Sequence, residues 1–344
     1  MKLSVESIIY NEGMFYLVPK DINILFACSV NDEQIKIIDT VPEEDGHTER
    51  QFNGLCKVGN KIILVPYAAR KIWIYDLICG TWKSIDVSEY VSEDVDSKFS
   101  GCVQYLEKVY LFGYGYNGIL SLDTNAYKLK SIYKQENMHL WGQKIAIDGY
   151  EVNIALPNEK RIAVLNRKTE KVDFIDLDVS SNGVASVGYD GARKIILPTT
   201  GNSYYVMDNE TKIKDRQLPQ ELSMSIYNGL AVSDKYIYGY SSWGKSFILN
   251  RESDEVKVIN TNTYYVDYIK EIGFIETQKG VLNIYNNEFV KKKTISLEIS
   301  DEELECYYSK YALTSRIYNE SDAFDLSQYL RNIEKDNIKT DIEK

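Results

Sequence analysis

The chain of 344 residues is poor in the residues that form linkers, zinc sites and disulfide frameworks. It has 6 Pro, 2 His and 5 Cys, and no Gly/Ser-rich or Pro-rich stretch divides it. The cysteines are odd in number, widely scattered and without a CxxC pair: Cys28, Cys56, Cys79, Cys102 and Cys306. We therefore expect free thiols in a reducing cytosol and no zinc site.

Long apolar runs and catalytic signatures are also missing. No segment has the length of a transmembrane helix, and the N-terminal residues, with Glu6 among them, lack the apolar stretch of a signal peptide. There is no Gly-rich phosphate loop, no nucleophile elbow and no recognisable Ser/His/Asp arrangement. The sequence thus predicts a cytoplasmic protein without a cofactor, and it leaves open whether the protein is an enzyme, with non-catalytic binding favoured.

The charge balance excludes two classes of partner. With 40 basic and 51 acidic residues the net charge is −11. A surface of that sign repels phosphate backbones and anionic headgroups, and no basic run is longer than Lys291–Lys293. We expect neither nucleic acid nor membrane as a partner, and the sequence does not predict an oligomeric state.

What the chain does contain is a repeat. Tyr is abundant, at 28 residues, and aromatic and β-branched side chains suit pleated sheets. Six times an aliphatic run ends in Asp or Asn, turns, and resumes as a β-prone stretch. The turn residues are Asp76, Asp123, Asn166, Asp208, Asn250 and Asn286, at intervals of 47, 43, 42, 42 and 36 residues. Short strands at such a period predict a β-propeller.

A second marker follows nearly the same period. Five glycines are expected to begin the innermost strands, one glycine in each of five units. They are Gly54, Gly101, Gly142, Gly183 and Gly229, spaced by 47, 41, 41 and 46 residues. One complete unit would consist of strand a after Gly54, strand b at Lys61–Val65, strand c at Lys71–Tyr75 and strand d at Trp82–Val87. Small sheets with two apolar faces bury them on one another when they are arranged radially.

We therefore predict an all-β fold, a propeller over residues 1–297. Seven four-stranded blades are favoured, with residues 4–41 as an opening unit and Val266–Leu297 as the last one. Six blades remain the alternative, because the first and last units are the least regular. Residues 298–344 are expected to form a helical C-terminal extension. Ser300 and Glu303 form a capping-box pattern before Leu304 and Tyr307, and Asp322 is a candidate cap for a second helix.

The run Trp73-Ile-Tyr-Asp76 followed by Trp82 resembles the kelch repeat of galactose-oxidase-type propellers. The resemblance covers about residues 4–297 and implies a propeller fold. It departs from the kelch pattern after strand b, where that family has Gly-Gly and this chain has Pro66-Tyr67, Gly113-Tyr114 or Gly239-Tyr240. Some propellers of this kind are epimerases, mutarotases or lyases, which is the basis of the enzyme alternative.

The candidate binding residues lie in two sets of loops. In a propeller the connections from strand d to strand a, and the loops from b to c, gather at one end of the axial channel. These loops are predicted to hold Tyr67, Arg70, Tyr114, Tyr116, His139, Trp141, Arg161, Asn182, Asn228, Trp243 and Lys245. Flat rings, amides and cations of this kind suit a sugar, because rings stack on pyranose faces and amides bind hydroxyls. Core packing is the alternative for aromatic residues such as Trp141.

A metal site is not predicted. His47 and His139 fall in d–a connections, but the tyrosine ligands of the galactose-oxidase copper site have no counterpart in this sequence. The acidic loops around Glu43, Glu49, Glu93 and Asp96 lack the alternating pattern of a calcium loop, so we expect solvated carboxylates. The sequence thus favours a binding module for a carbohydrate, a glycan precursor or a protein partner. A carbohydrate-active enzyme and an assembly scaffold that uses the C-terminal helices are the alternatives.

Overall fold

The structure is a computed structural model that describes residues 1–42, 50–208, 212–260 and 262–306. Two compact units are present: Lys2–Glu298, and Met1 together with the segment that begins at Ile299. In the first unit the described residues form seven antiparallel sheets of four strands, each built from strands consecutive in the chain. The larger unit is a seven-bladed β-propeller. Seven blades, rather than six, are confirmed.

The strands a, b, c and d of each blade have the following bounds. Blade 1 has β1 (Ile8–Asn11), β2 (Met14–Leu17), β3 (Ile24–Ser29) and β4 (Lys36–Thr40). Blade 2 has β5 (Phe52–Val58), β6 (Lys61–Pro66), β7 (Lys71–Asp76) and β8 (Thr81–Asp86). Blade 3 has β9 (Phe99–Tyr105), β10 (Lys108–Gly113), β11 (Gly118–Asp123) and β12 (Lys128–Lys134). Blade 4 has β13 (Trp141–Asp148), β14 (Glu151–Ala155), β15 (Arg161–Asn166) and β16 (Lys171–Asp176).

The remaining three blades follow the same order. Blade 5 has β17 (Val184–Tyr189), β18 (Lys194–Pro198), β19 (Ser203–Met207) and β20 (Ile213–Gln217). Blade 6 has β21 (Ile226–Val232), β22 (Tyr236–Trp243), β23 (Ser246–Asn250) and β24 (Val256–Ile259), and a 3-10 helix (Gln220–Leu222) precedes it. Blade 7 has β25 (Tyr265–Ile269), β26 (Gly273–Gln278), β27 (Val281–Tyr285) and β28 (Lys291–Ser296).

The c–d turns use the side-chain chemistry that the repeat predicts. Oδ1 of Asp76 accepts hydrogen bonds from the backbone N–H groups of Ile78 and Cys79, at 2.9 and 3.0 Å. Because both bonds stabilise the charged form, they lower the pKa of Asp76. Side chains at the five other turn positions also accept backbone N–H groups: Asp123, Asn166, Asp208, Asn250 and Asn286. One local device therefore closes six of the seven outer hairpins.

The blades are joined at the start of their inner strands. Five of the connections donate a backbone N–H to a carbonyl at or just after the end of strand b in the preceding blade. The pairs are Arg50 to Lys20, Lys98 to Tyr67, Leu140 to Gly113, Val184 to Leu156 and Tyr227 to Thr199, at 2.7, 2.9, 3.0, 3.0 and 2.9 Å. Between neighbouring blades lie apolar clusters, such as that of Ile63, Ile74, Val109 and Leu111 between blades 2 and 3. This packing buries both faces of each sheet.

Glycine is needed where inner strands approach each other or a neighbouring blade. A Cβ added to Gly54 would lie 3.0 Å from the Cα of Gly101 on the next inner strand. A Cβ added to Gly183 would lie 1.7 Å from the carbonyl oxygen of Pro157, which is far inside van der Waals contact. The predicted role of these glycines at the crowded axis follows from that geometry.

The ring closes through the backbone of its two ends. The N–H of Leu3 donates to the carbonyl of Leu297 at 2.9 Å, and the N–H of Gly280 donates to the carbonyl of Leu3 at 2.8 Å. On the other side of β28, the N–H of Ile35 donates to the carbonyl of Ser296 at 3.2 Å. Residues outside the named strands therefore hold blade 7 to blade 1.

A carboxylate is buried between blades 6 and 7. Glu276, in β26, is 1% exposed. Its Oε1 accepts hydrogen bonds from Tyr238 and Thr263, both at 2.7 Å, and its Oε2 from Tyr285 at 2.8 Å and Asn283 at 3.2 Å. Burial by itself raises the pKa of Glu276, but the hydrogen bonds from Tyr238, Thr263 and Tyr285 outweigh it, and the net direction is downward.

One part of the predicted layout is wrong. The sequence pattern places Gly239-Tyr240 after strand b, in the position of the kelch Gly-Gly, but both residues lie inside β22, which continues to Trp243. Tyr240 is 0% exposed. The alternation of Tyr236, Tyr238 and Tyr240 continues the pleat past the point where the other b strands end, so the b–c turn comes later in this blade.

In the second unit, residues 301–306 form a short helix. The N–H of Ser300 donates to Oε2 of Glu303 at 2.9 Å, and the N–H of Glu303 donates to Oγ of Ser300 at 3.2 Å, so the predicted capping box is present. Tyr307 and the second predicted helix at Asp322 lie outside the described residues. No helix among those described has the length and apolar composition of a membrane span.

Candidate binding face and axial channel

We call the end of the propeller where the inner strands begin the loop face. There the N–H of Lys98 donates to the carbonyl of Tyr67, and the N–H of Tyr114 donates to the carbonyl of Lys98 at 3.0 Å. Nδ1 of His139 lies 2.8 Å from the carbonyl oxygen of Tyr114. Loops from blades 2 and 3 thus form one hydrogen-bonded belt that extends to the start of blade 4.

An aromatic group lies at the blade-4 side of this face. The rings of Tyr114 and His139 are 4.8 Å apart, and those of Tyr114 and Trp141 are 5.9 Å apart in a T-shaped arrangement. Nε1 of Trp141 donates to the carbonyl of Asn228 at 3.1 Å. Trp141 begins β13 and Asn228 lies in β21, with β17 between them, so the indole links blades 4 and 6. Four predicted site residues are thereby brought together.

Tyr67 and Arg70 lie at the blade-2 part of the face. The guanidinium of Arg50 lies 4.8 Å from the centre of the Tyr67 ring. Nε of Arg70 is 3.9 Å from Oε2 of Glu93, and both side chains are largely exposed. A surface ion pair at that distance adds little stability, which leaves Arg70 accessible to solvent and to a ligand.

Blade 6 presents exposed apolar side chains at the same face. Met224 is 76% exposed, Ile226 42% and Trp243 65%. Ile226 and Trp243 are partners in the pairing of β21 with β22, and Met224 precedes Ile226 by two residues. Beside them, Nζ of Lys245 donates to Oε2 of Glu221 at 2.7 Å. We call Met224, Ile226 and Trp243 the blade-6 patch.

Three other predicted residues have different surroundings. Tyr116 is 3% exposed, packs with Phe99 between blades 2 and 3, and donates to Oγ of Ser131 at 2.6 Å. Its prediction as a ligand contact is therefore corrected: it is a core residue. Nε of Arg161 donates to Glu159 at 2.5 Å, with its guanidinium 4.3 Å from the ring of Phe174. Asn182 is exposed just before β17.

A charged cluster that the sequence pattern does not reveal lies between blades 1 and 2 on this face. Nη2 of Arg50 is 2.5 Å from Oε2 of Glu6, and Nζ of Lys20 is 3.6 Å from Oε1. The side chain of Glu6 is 13% exposed. Burial raises the pKa of Tyr240, and the nearby carboxylates of Glu6 and Asp267 raise it further. We call Glu6, Lys20 and Arg50 the mouth ion cluster.

Lys98 is another residue of this face that the sequence pattern does not reveal. It is 1% exposed, and its ammonium donates to the carbonyls of Val95 at 2.6 Å and of Ala68 and Glu93 at 3.2 Å each. Hydrogen bonding to several acceptors is what a buried cation requires. Lys98 thus holds the acidic connection before β9 in place, with Glu93 within it.

The axis of the ring contains a cavity of about 540 Å³. Five of the seven inner strands line it: β1, β5, β9, β13 and β25. Its lining mixes polar and apolar groups, among them Asn53, Cys56, Cys102, Gln104, Ile147 and Asp267. The volume falls within the range of small-molecule sites in proteins.

Metal ligands are not grouped in the described part of the chain. No set of three or more His, Cys, Asp or Glu side chains there is arranged to hold an ion. Glu43, His47 and Glu49 lie outside the described residues.

Comparison with known proteins supports the fold. The structure of YCF48 bound to D1 peptide matches with a TM-score of 0.63 and 11% identity over 83% of this chain and 93% of that one. An inactive variant of virginiamycin B lyase from Staphylococcus aureus with quinupristin matches with a TM-score of 0.62 and 12% identity over 86% and 96%. A third match is the structure of U3-55K, with a TM-score of 0.58 and 8% identity over 82% and 88%.

At such low identity these matches show a shared propeller fold and no shared activity. No family model matches the chain, and no curated protein matches it. The resemblance to kelch repeats therefore depends on the strand and turn residues alone, such as Trp73, Asp76 and Trp82.

Proposed function

We propose that this protein is a binding module whose loop face holds a protein partner, anchored by the blade-6 patch. The observation that carries this proposal is the exposure of Trp243 and of its strand partner Ile226, with exposed Met224 two residues before Ile226. Contiguous apolar surface of this kind is typical of an interaction site. A large aromatic such as Trp243 is the residue type that most often dominates binding energy.

The charges around the patch specify the partner further. Lys245 and Glu221 form an ion pair beside the apolar side chains, as in the polar rim of an interface. Because the chain carries a net charge of −11, a partner segment with basic residues next to apolar ones would be attracted. The solved complex of YCF48 with a peptide supports this kind of ligand for a propeller of similar fold.

A carbohydrate is the alternative ligand of the same face. Tyr114, His139 and Trp141 form an aromatic group beside the channel, and rings of this kind stack on sugars. As part of the same proposal we place the protein, with its kelch-like repeat, in the cytoplasm, where free cysteines are the usual state of a protein.

The substitution Trp243→Ala tests the proposed partner site. We expect it to weaken binding at least tenfold, about 1.4 kcal/mol or more, because it removes the largest apolar group of the patch. Wild-type and variant chains are immobilised and exposed to extract of the source cells, and retained proteins are quantified by mass spectrometry. The candidate partner is then purified and titrated calorimetrically against each chain.

The matched control is Tyr150→Ala. Tyr150 is 50% exposed in the turn after β13, at the opposite end of that strand from Trp141. We expect this variant to bind as the wild type does. If Trp243→Ala retains the partner with unchanged affinity, the blade-6 patch is not the site, and titration with glycans then tests the carbohydrate alternative.

The mouth ion cluster favours one enzymatic alternative. Glu6 lies between two cations, and a lyase needs a base to remove a proton and a positive group to stabilise the charge that develops. Virginiamycin B lyase has a similar fold. The enzymatic alternative is therefore a lyase that acts on an ester or a glycoside at this mouth.

The test of this alternative is Glu6→Gln. If Glu6 is the base, the variant should lose activity about 100-fold or more, while wild-type protein forms an unsaturated product. Quinupristin and a uronate polymer serve as probes, with product detected by ultraviolet absorbance and mass spectrometry. Glu93→Gln, at an exposed carboxylate of the same face, is the control. Equal turnover by wild type and Glu6→Gln would exclude Glu6 as the base.

A further inference from the structure

Two cysteines meet at the axis of the propeller. Cys56 lies in β5 and Cys102 in β9, which are inner strands of neighbouring blades. Their Sγ atoms are 2.8 Å apart, although the residues are separated by 46 positions in the sequence. Both are free thiols. The repeat therefore places two thiols in direct contact across a blade junction.

The backbones of the two strands are close together at this junction. Next to the cysteines, Gly54 and Gly101 bring β5 and β9 so close that a Cβ on Gly54 would lie 3.0 Å from the Cα of Gly101. A disulfide requires Cα atoms about 4.4–6.8 Å apart and sulfurs at about 2.05 Å. The two sulfurs, which are 2.8 Å apart, would have to approach each other by about 0.75 Å to reach that bonding distance.

The two thiols also face a route for reagents. Both residues line the axial cavity of about 540 Å³. Cys56 is 6% exposed and Cys102 is partly exposed, whereas Cys28 is 0% exposed. Burial raises the pKa of the Cys28 thiol to about 12. A small molecule inside the channel thus reaches Cys56 and Cys102 but not Cys28.

We propose that Cys56 and Cys102 are a modification site that low-molecular-weight disulfides in the channel oxidise to an intramolecular disulfide. One cysteine thiolate attacks a sulfur of the reagent, which forms a mixed disulfide and releases one reagent thiolate. The second cysteine thiolate attacks the protein sulfur of that mixed disulfide and releases the other reagent thiolate. Two cysteine thiols are oxidised, the reagent disulfide is reduced to two thiols, and the two cysteine protons pass to them.

The product would join blades 2 and 3 covalently at the axis, next to the channel. Burial and the hydrogen bond with Cys56 raise the pKa of the Cys102 thiol, so little thiolate is present at neutral pH. The reaction should therefore accelerate as the pH rises.

The experiment uses the full chain with Cys79→Ser and Cys306→Ser, since both of these cysteines are exposed and would form adducts. The folded protein is treated with the small probe bis(2-hydroxyethyl) disulfide, and its intact mass and free thiols are measured. We expect titratable thiols to fall from three to one. The mass should decrease by two hydrogen atoms, with peptides containing Cys56 and Cys102 crosslinked, and dithiothreitol should restore both values.

Adding Cys102→Ser to the same background is the matched control, and it should abolish the loss of mass. The proposal is overturned if the parent chain keeps three titratable thiols, or if it carries a stable reagent adduct on Cys56 or Cys102 instead of the crosslink. A crosslink that forms only after denaturation overturns it too, because the reaction would then not depend on the folded channel.

Discussion

The substitution Glu276→Gln is expected to destabilise the propeller by about 3 kcal/mol. The carboxylate accepts four hydrogen bonds in a site that is 1% exposed. A Gln amide of the same size has one acceptor oxygen, and its NH2 group would face donors. Tyr285 or Asn283 would lose its acceptor, and a buried donor without a partner is costly. Urea unfolding at neutral pH, followed by circular dichroism, measures the loss.

The same carboxylate makes the stability depend on acid. Its folded pKa lies below the ordinary value of 4.5, so the unfolded chain takes up the proton first as the pH falls. The stabilisation is therefore complete above that value and is lost as the pH drops through the lower folded pKa. The gap between wild type and Glu276→Gln should narrow over this acidic range.

The control for both measurements is Glu271→Gln, at an exposed position in the turn before β26. This change should shift the unfolding free energy by less than about 0.5 kcal/mol. Equal stabilities for Glu276→Gln and wild type at neutral pH would show that the carboxylate has no special role in joining blades 6 and 7.

Gly183→Ala is expected to cost about 3 kcal/mol. The added Cβ would lie 1.7 Å from the carbonyl oxygen of Pro157, which is backbone and cannot rotate away as a side chain would. Relief requires movement of the start of blade 5, where the N–H of Val184 donates to the carbonyl of Leu156 at 3.0 Å. The substitution therefore affects both the packing and an inter-blade hydrogen bond. Urea unfolding measures the combined loss of unfolding free energy.

Gly149→Ala separates this collision from the backbone preference of glycine. Gly149 has a φ of 56° and no atom within 4 Å of an added Cβ, so its cost is that of a left-handed residue, about 1 kcal/mol. If Gly183→Ala were no more costly than Gly149→Ala, the junction of blades 4 and 5 would have to be more deformable than its contacts indicate.

Much of the fold follows from local sequence rules. Strand b of blade 2 is predicted at Lys61–Val65 and lies at Lys61–Pro66, and the Asp76 turn that follows strand c forms as the repeat predicts. The strands depend on the pattern of apolar and polar residues, and the turns depend on side chains that bond to backbone N–H groups a few residues away. Interactions of that range can be predicted without knowledge of the neighbouring blades.

The candidate site is less predictable because its contacts join distant residues. Glu6 meets Arg50, and Cys56 meets Cys102, only once the ring has closed. Glu276 does carry a sequence signal, since it is a carboxylate in the middle of an apolar b strand. Tyr116 has the sequence position of a loop aromatic but packs inward, a choice that depends on Phe99 in the adjoining strand.

The way the ring closes affects how such a chain can gain or lose repeats during evolution. Every described sheet is completed by four successive strands, and the bonds of Leu3 and Ile35 to the last blade lie outside those sheets. Duplication or loss of one whole repeat would therefore leave the hydrogen bonds within the sheet of every other blade intact. The new ring would have a different radius, and the same bonds of Leu3 and Ile35 to the last blade would close it.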